Sequence, residues 1–193
     1  MNVERRHEFT AAEIQALLTV LDERLRNQGE AASVFVVGGA AIAATGIRTN
    51  RVTVDVDGIT RQPVVIETAR ALARERGLPV TWLNSNANMW MPPIRPEVFE
   101  PPDTPGLRIT YASDDFLLAT KLIAQRAKDA DDIVALAARL DMREAEDLEA
   151  LVRRFYTDEG ALEFIVDGDD VDREIRLGAE DAARLIKHRA RST

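Results

Sequence analysis

The sequence predicts an α/β fold of the α+β kind: a small mixed β-sheet flanked by helices, followed by a helical C-terminal part. Three observations predict it. β-branched and alternating runs lie before residue 112. Helix-period apolar patterns dominate after it. Glycine and proline mark the joints between the early elements. Residues 1–112 are therefore expected to form a core with an N-terminal helix, and 113–193 a mainly helical part packed on that core.

Taken in order, residues 10–27 read as an amphipathic helix. Thr10 is placed to cap it, and Ile14, Leu17, Leu18, Leu21 and Leu25 recur at helical spacing. Ser33 to Val37 is a short apolar run expected as a buried strand. Gly38-Gly39 and the small-residue segment that follows, ending at Gly46, read as a glycine turn and a short helix. Val52 to Asp57 is the next expected strand. Pro63 opens a helix to Arg76 and Gly77 stops it. Leu78 to Leu83 is expected as a strand. Residues 84–106 hold six of the eight prolines and read mostly as irregular loop. Met89, Trp90, Met91 and Phe99 either pin that loop to the body or form a substrate-facing lid. Leu107 to Tyr111 is a further strand. Ser113 and Asp114 then start a helix expected to reach Ala127, followed by helices over 130–140 and 144–156. The last stretch reads as acidic loop and a final helix over 179–189.

The totals bound what the chain does. No apolar run approaches the ~20 residues that span a bilayer, and MNVERRHEFTAAEI has no apolar leader region. A cytoplasmic protein with no membrane partner is expected. There are no cysteines, which excludes disulfides and thiolate chemistry. The two histidines, His7 and His188, stand near opposite ends, so a histidine zinc site is not expected. A bound metal would be held by carboxylates, which favours Mg²⁺ or Mn²⁺. The net charge of −8 does not favour a nucleic-acid partner, although a local patch can outweigh it. Lysines are confined to Lys121, Lys128 and Lys187.

Arg51-Val52-Thr53-Val54-Asp55-Val56-Asp57 is the most informative stretch. As a strand it would put the three valines on one face and Arg51, Thr53, Asp55 and Asp57 on the other. Two carboxylates would then stand about 7 Å apart along the strand. That spacing suits a hard cation held through oxygen, with the arginine and hydroxyl left for phosphate oxygens. The same alternation also describes any half-buried strand. Both acids would fall at the strand's C-terminal end, where open α/β sheets bind ligands.

Three other segments bear on this. Gly38-Gly39 would let a phosphate approach backbone at a helix start, and is equally what a tight turn uses. It is neither a P-loop nor a dinucleotide fingerprint. Lys121 flanks the stripe of Leu117, Leu118, Leu122 and Ile123, so it either snorkels to solvent or reaches a cleft and meets phosphate. Asp129 and Asp132, three apart on one helix face, would orient Lys121 or Arg126, join a metal site, or simply sit at a helix junction. The acidic stretch 166–172 lacks the oxygen ligand and glycine that a calcium loop needs at its fifth and sixth positions, and reads as a solvated turn.

Together, strand–Gly38-Gly39–helix, Arg51-x-Thr53-x-Asp55-x-Asp57, Lys121-Leu122 and Asp129-x-x-Asp132 resemble the minimal nucleotidyltransferases of the AbiEii/MenT toxin group. These share the DNA polymerase β-like nucleotidyltransferase fold. The resemblance covers roughly residues 33–135. It implies that Gly38 and Gly39 sit against an NTP and that Asp55 and Asp57 carry a catalytic Mg²⁺. It also implies that Lys121 contacts the nucleotide phosphates and that Asp129 or Asp132 is the downstream acid. Arg51 and Thr53 match the positions before the acidic pair. Toxins of this group typically add nucleotides to a tRNA 3′ end and are encoded beside an antitoxin protein. Here the first turn is Gly-Gly where Gly-Ser is frequent, and residues 107–111 carry no third carboxylate. Two other readings follow from the same residues. One is a catalytically silent, antitoxin-like protein that acts by protein binding. The other is a nucleotidyltransferase acting on a protein hydroxyl or on a small molecule such as an aminoglycoside, a cationic substrate that the net charge would suit.

Overall fold

The structure, a computed structural model, describes residues 7–166, 168 and 170–191. It is a mixed α/β protein whose chain divides into two compact units. One comprises the residues up to Met89 together with Ile94–Ala112; the other comprises Trp90–Pro93 and the chain from Ser113 onward.

The first unit is built on a four-stranded mixed sheet. Helix α1 (Ala11–Gln28) begins with a reciprocal cap. The Glu13 N–H donates to Thr10 Oγ1 (3.3 Å), and the Thr10 N–H donates back to Glu13 Oε2 (2.8 Å). Its leucine stripe is fully buried. Strand β1 (Ala31–Val36), helix α2 (Gly38–Ala44), strand β2 (Val56–Ile59), helix α3 (Pro63–Arg76), strand β3 (Leu83–Asn84) and strand β4 (Gly106–Tyr111) follow. The sheet order is β3-β2-β1-β4. β1 runs parallel to β4, with Ala31 opposite Gly106 and Val36 opposite Tyr111. β2 is antiparallel to β1 and parallel to β3. α1 packs on α2, α3 and β4. Val34, Val36, Val56, Leu72 and Leu83 are buried in the core.

Two expected strands are shorter than their sequence suggests. The segment expected over 52–57 enters the sheet only at Val56. Ahead of it, Thr53 makes an isolated antiparallel bridge with Phe9, donating to Phe9 O at 3.0 Å and accepting from Phe9 N at 2.6 Å. The chain bends at Val54 and Asp55 to pass from that bridge to β2. Val54 is consequently 40% exposed, and the three valines do not share a buried face. The strand expected over 78–83 shrinks to Leu83–Asn84, because the Trp82 N–H turns back to Pro79 O at 2.9 Å. The Trp82 indole then donates to Ala69 O of α3 at 3.0 Å. Residues 84–106 contain two 3₁₀ turns, Asn86–Trp90 and Pro96–Phe99. The second is pinned: Phe99 is buried and its carbonyl accepts from Ser33 Oγ at 2.8 Å. Met89 and Trp90 are exposed.

The second unit is helical. α4 (Asp114–Ala124) stops earlier than expected, because Gln125 adopts φ 45° and closes the helix through its N–H to Lys121 O. A 3₁₀ turn (Ala127–Asp129) leads into α5 (Ala130–Leu140), and α6 (Ala145–Phe155) follows. α7 (Glu159–Ile165) is a short helix that the sequence reading treats as loop. α8 (Val171–Ala190) starts well before residue 179, since Asp170 accepts from the Arg173 N–H at 3.0 Å and caps it. Of the acidic stretch 166–172, Asp167 and Asp169 lie outside the described residues, whereas Asp172 is in the first turn of α8. No helix of the described residues is long and apolar enough to cross a membrane.

Candidate functional site

The end of β1 fixes the first piece of the site. The Val37 N–H donates to Asp57 O at 2.9 Å, which sets the glycine pair beside the start of β2. Gly38 has φ 63°, a conformation that only glycine adopts without cost. A Cβ on Gly38 would lie 2.9 Å from Asp57 Oδ2. A Cβ on Gly39 would lie 3.0 Å from Arg51 Nη2 and 3.1 Å from Thr53 Oγ1. The two missing side chains are thus replaced by functional groups from residues 51–57. Gly38, Gly39, Arg51, Thr53 and Asp57 form one cluster, all half-buried.

The two carboxylates are held differently from the strand geometry expected. Asp57 is the second residue of β2 and pairs with Asn84 of β3. Asp55 lies in the bend before β2, where Asn84 Nδ2 donates to its Oδ2 at 3.2 Å. Both acids therefore mark the N-terminal end of β2, not the C-terminal end. Because β2 runs against β1, that end adjoins the C-terminal ends of β1 and β4. In open α/β sheets ligands bind beyond such C-terminal strand ends, and here the acids stand at that edge from the opposite chain direction. Arg51 also donates to the carbonyl of Val52.

These groups fit a hard divalent cation. Asp55 and Asp57 would supply carboxylate oxygens and Thr53 a hydroxyl, and neither thiolate nor imidazole stands among them. Among the described residues no three acidic, histidine or cysteine side chains gather to hold an ion by themselves. Two carboxylates completed by substrate oxygens and water is how proteins hold Mg²⁺ beside phosphates.

Lys121, Asp129 and Asp132 form a second cluster, within the helical unit. Lys121 Nζ lies 2.6 Å from Asp129 Oδ1 and 3.1 Å from Asp132 Oδ2. Lys121 is only 6% exposed and Asp132 is fully buried, so the lysine neither snorkels nor faces solvent. Both acids engage Lys121; Arg126 is exposed. Asp129 belongs to the 3₁₀ turn and occupies the N-cap position of α5, while Asp132 is in the first turn of that helix. The Asp129 carboxylate makes no capping bond, because it is spent on the ammonium.

Sequence reading misses Asn84. It stands at the end of an apolar run with no motif around it, and only strand pairing brings it to Asp57 and Asp55. Comparisons with family models, with curated proteins and with solved structures find no match to this chain.

Proposed function

We propose that this chain is a Mg²⁺-dependent nucleotidyltransferase that moves a nucleotide from an NTP to an acceptor hydroxyl, that of a tRNA 3′ end, as the toxin of a toxin–antitoxin pair. One observation carries the reading: Asp57, Arg51 and Thr53 occupy the space that side chains on Gly38 and Gly39 would fill. Two carboxylates, a guanidinium, a hydroxyl and side-chain-free backbone are what a metal-bound triphosphate needs from a protein.

In the proposed reaction the acceptor oxygen bonds to the α-phosphorus, and the bond from that phosphorus to the β-phosphate's bridging oxygen breaks. Pyrophosphate leaves and the hydroxyl proton passes to solvent. Asp55 and Asp57 supply the oxygen ligands for the metal. Arg51 and Thr53 orient phosphate oxygens by charge and hydrogen bonding. The glycines leave backbone open to close approach. A bound Mg²⁺ would neutralise the charge that builds on the phosphates as the leaving group departs. No histidine or cysteine is needed.

The charge distribution supports a nucleic-acid acceptor better than the total does. Residues 113–193 hold 20 Asp and Glu against 13 Lys and Arg, which accounts for most of the net −8. The segment containing the proposed metal ligands is close to neutral, so it repels a phosphate chain little. Lys121, Asp129 and Asp132 enter the proposal through the fold of their own unit: two carboxylates already engage the ammonium that the resemblance assigns to nucleotide phosphate.

The test is transfer of label from each α-labelled NTP, with Mg²⁺, to tRNA, a protein pool and an aminoglycoside side by side, with Asp55→Ala as control. Label on tRNA that vanishes in the variant supports the proposal. Label only on protein or aminoglycoside keeps the chemistry and replaces the acceptor. No label with any acceptor sinks the reading, and a silent binding protein takes its place.

A further inference from the structure

Asn84 is a buried amide with its orientation fixed at both ends. Its Oδ1 accepts from the Asn86 N–H at 2.9 Å. Its Nδ2 must then face the other way, and donates to Asp55 Oδ2 at 3.2 Å and to Thr81 O at 3.3 Å. Exchanging the amide oxygen and nitrogen would set oxygen against two acceptors and nitrogen against a donor, so the assignment is forced by the partners. The residue is 8% exposed. It is also the ladder partner of Asp57. One residue therefore touches the backbone course of one proposed metal ligand and the carboxylate of the other.

Asp55 needs such a brace. It lies in the bend between the Phe9–Thr53 bridge and β2, where no strand pairing holds it. A carboxylate on a bend rotates among several orientations. A neutral donor on Oδ2 selects one of them and leaves Oδ1 for a cation, without placing a competing charge at the site. A carboxylate at position 84 would repel Asp55, and a lysine would compete with the cation.

We propose that Asn84 is a positioning residue for the divalent cation, holding the Asp55 carboxylate in its ligating orientation. This rests on the proposed function, in which Asp55 and Asp57 are the metal ligands. Outer-shell partners of metal ligands typically contribute 10–100-fold in affinity.

Binding of Mn²⁺ alone, followed by the loss of the free-ion electron paramagnetic resonance signal, tests this without any turnover. Two variants remove the donor: Asn84→Ala, and Asn84→Leu, which keeps the branched shape. They are compared with Asp55→Asn, Asp57→Asn and the Asn84→Leu/Asp55→Asn double variant, folding being followed by circular dichroism. The expected result is binding about tenfold weaker in the folded Asn84 variants, with no further loss when Asn84→Leu is added to Asp55→Asn. Native-like affinity in a folded Asn84 variant, alongside clear loss in Asp57→Asn, overturns the role of Asn84 and leaves the proposed function standing. Equal losses with and without Asp55 also overturn it, because Asn84 would then act only through the sheet. No Mn²⁺ binding by the native protein overturns this inference, and the transfer assay then decides the proposed function separately.

Discussion

The two clusters use the same chemistry, carboxylates beside a cation, in opposite surroundings. In the sheet unit, Arg51, Thr53 and Asp57 are half-buried and packed around two glycines, with Asp55, also half-buried, in the bend beside them. In the helical unit, Lys121, Asp129 and Asp132 are buried and turned on one another. A half-buried charge can exchange its partner for a ligand at small cost. A buried ion cluster cannot, because parting it strands charge in a medium that solvates it poorly. The difference separates a group of residues suited to binding from one suited to holding helices together.

The comparison is most easily broken at Lys121. Lys121→Met leaves Asp129 and Asp132 buried together without their cation, and should lower the stability of the helical unit by about 3–5 kcal/mol, read from the urea midpoint. Replacing all three residues with apolar side chains should recover most of that loss, because no uncompensated charge remains. A stable, folded Lys121→Met with a raised KM for NTP would assign this lysine to phosphate instead.

Asp57→Asn should act in the reverse sense. Nucleotidyl transfer is expected to fall on the order of 10²–10³-fold, with melting temperature close to native, since a half-buried carboxylate is exchanged for an isosteric amide. A large loss of stability with activity retained would place Asp57 with the structural cluster.

Gly38→Ala sharpens the account. Gly38 and Gly29 both hold positive φ, 63° and 75°. A Cβ at Gly29 meets nothing within 4 Å, whereas one at Gly38 meets Asp57 Oδ2 at 2.9 Å. Gly29→Ala should cost about 1 kcal/mol for the backbone alone. Gly38→Ala should cost more, about 1–3 kcal/mol, and should displace Asp57 and cut activity. Equal costs from thermal melts, with activity intact, would show that the glycine contact to Asp57 has no functional weight. The smallest effect expected is outside both clusters: Thr10→Ala removes the α1 cap and should cost about 1 kcal/mol by the same melts, without touching transfer.

What was legible in the sequence follows the range of the forces involved. α3 and α5 match their expected limits, and α1 ends one residue beyond, because caps, proline at the first turn and the apolar period act within a few residues. β2 starts later than its local pattern suggests because a backbone bridge to Phe9, distant in sequence, intercepts Thr53. β3 is shorter than its apolar run suggests because an indole–carbonyl bond and a local turn claim residues 79–82. Within the candidate site, the glycines, Arg51, Thr53 and Asp57 were legible as residue types and are brought together. That the acids sit at the start of β2, and that Asn84 braces Asp55, depend on strand direction and pairing, which no local pattern encodes. The charges of Lys121, Asp129 and Asp132 were legible; their burial was not, since Lys121 reads as the polar flank of its helix.

The most direct measurement is the fate of the α-phosphate. Native protein and a folded Asp57→Asn variant would each be incubated with Mg²⁺, tRNA and every NTP in turn, labelled at the α-position. The account predicts label on the tRNA 3′ end and matching pyrophosphate release from native protein, and neither from the variant. Label from no NTP, or label undiminished in Asp57→Asn, would contradict it.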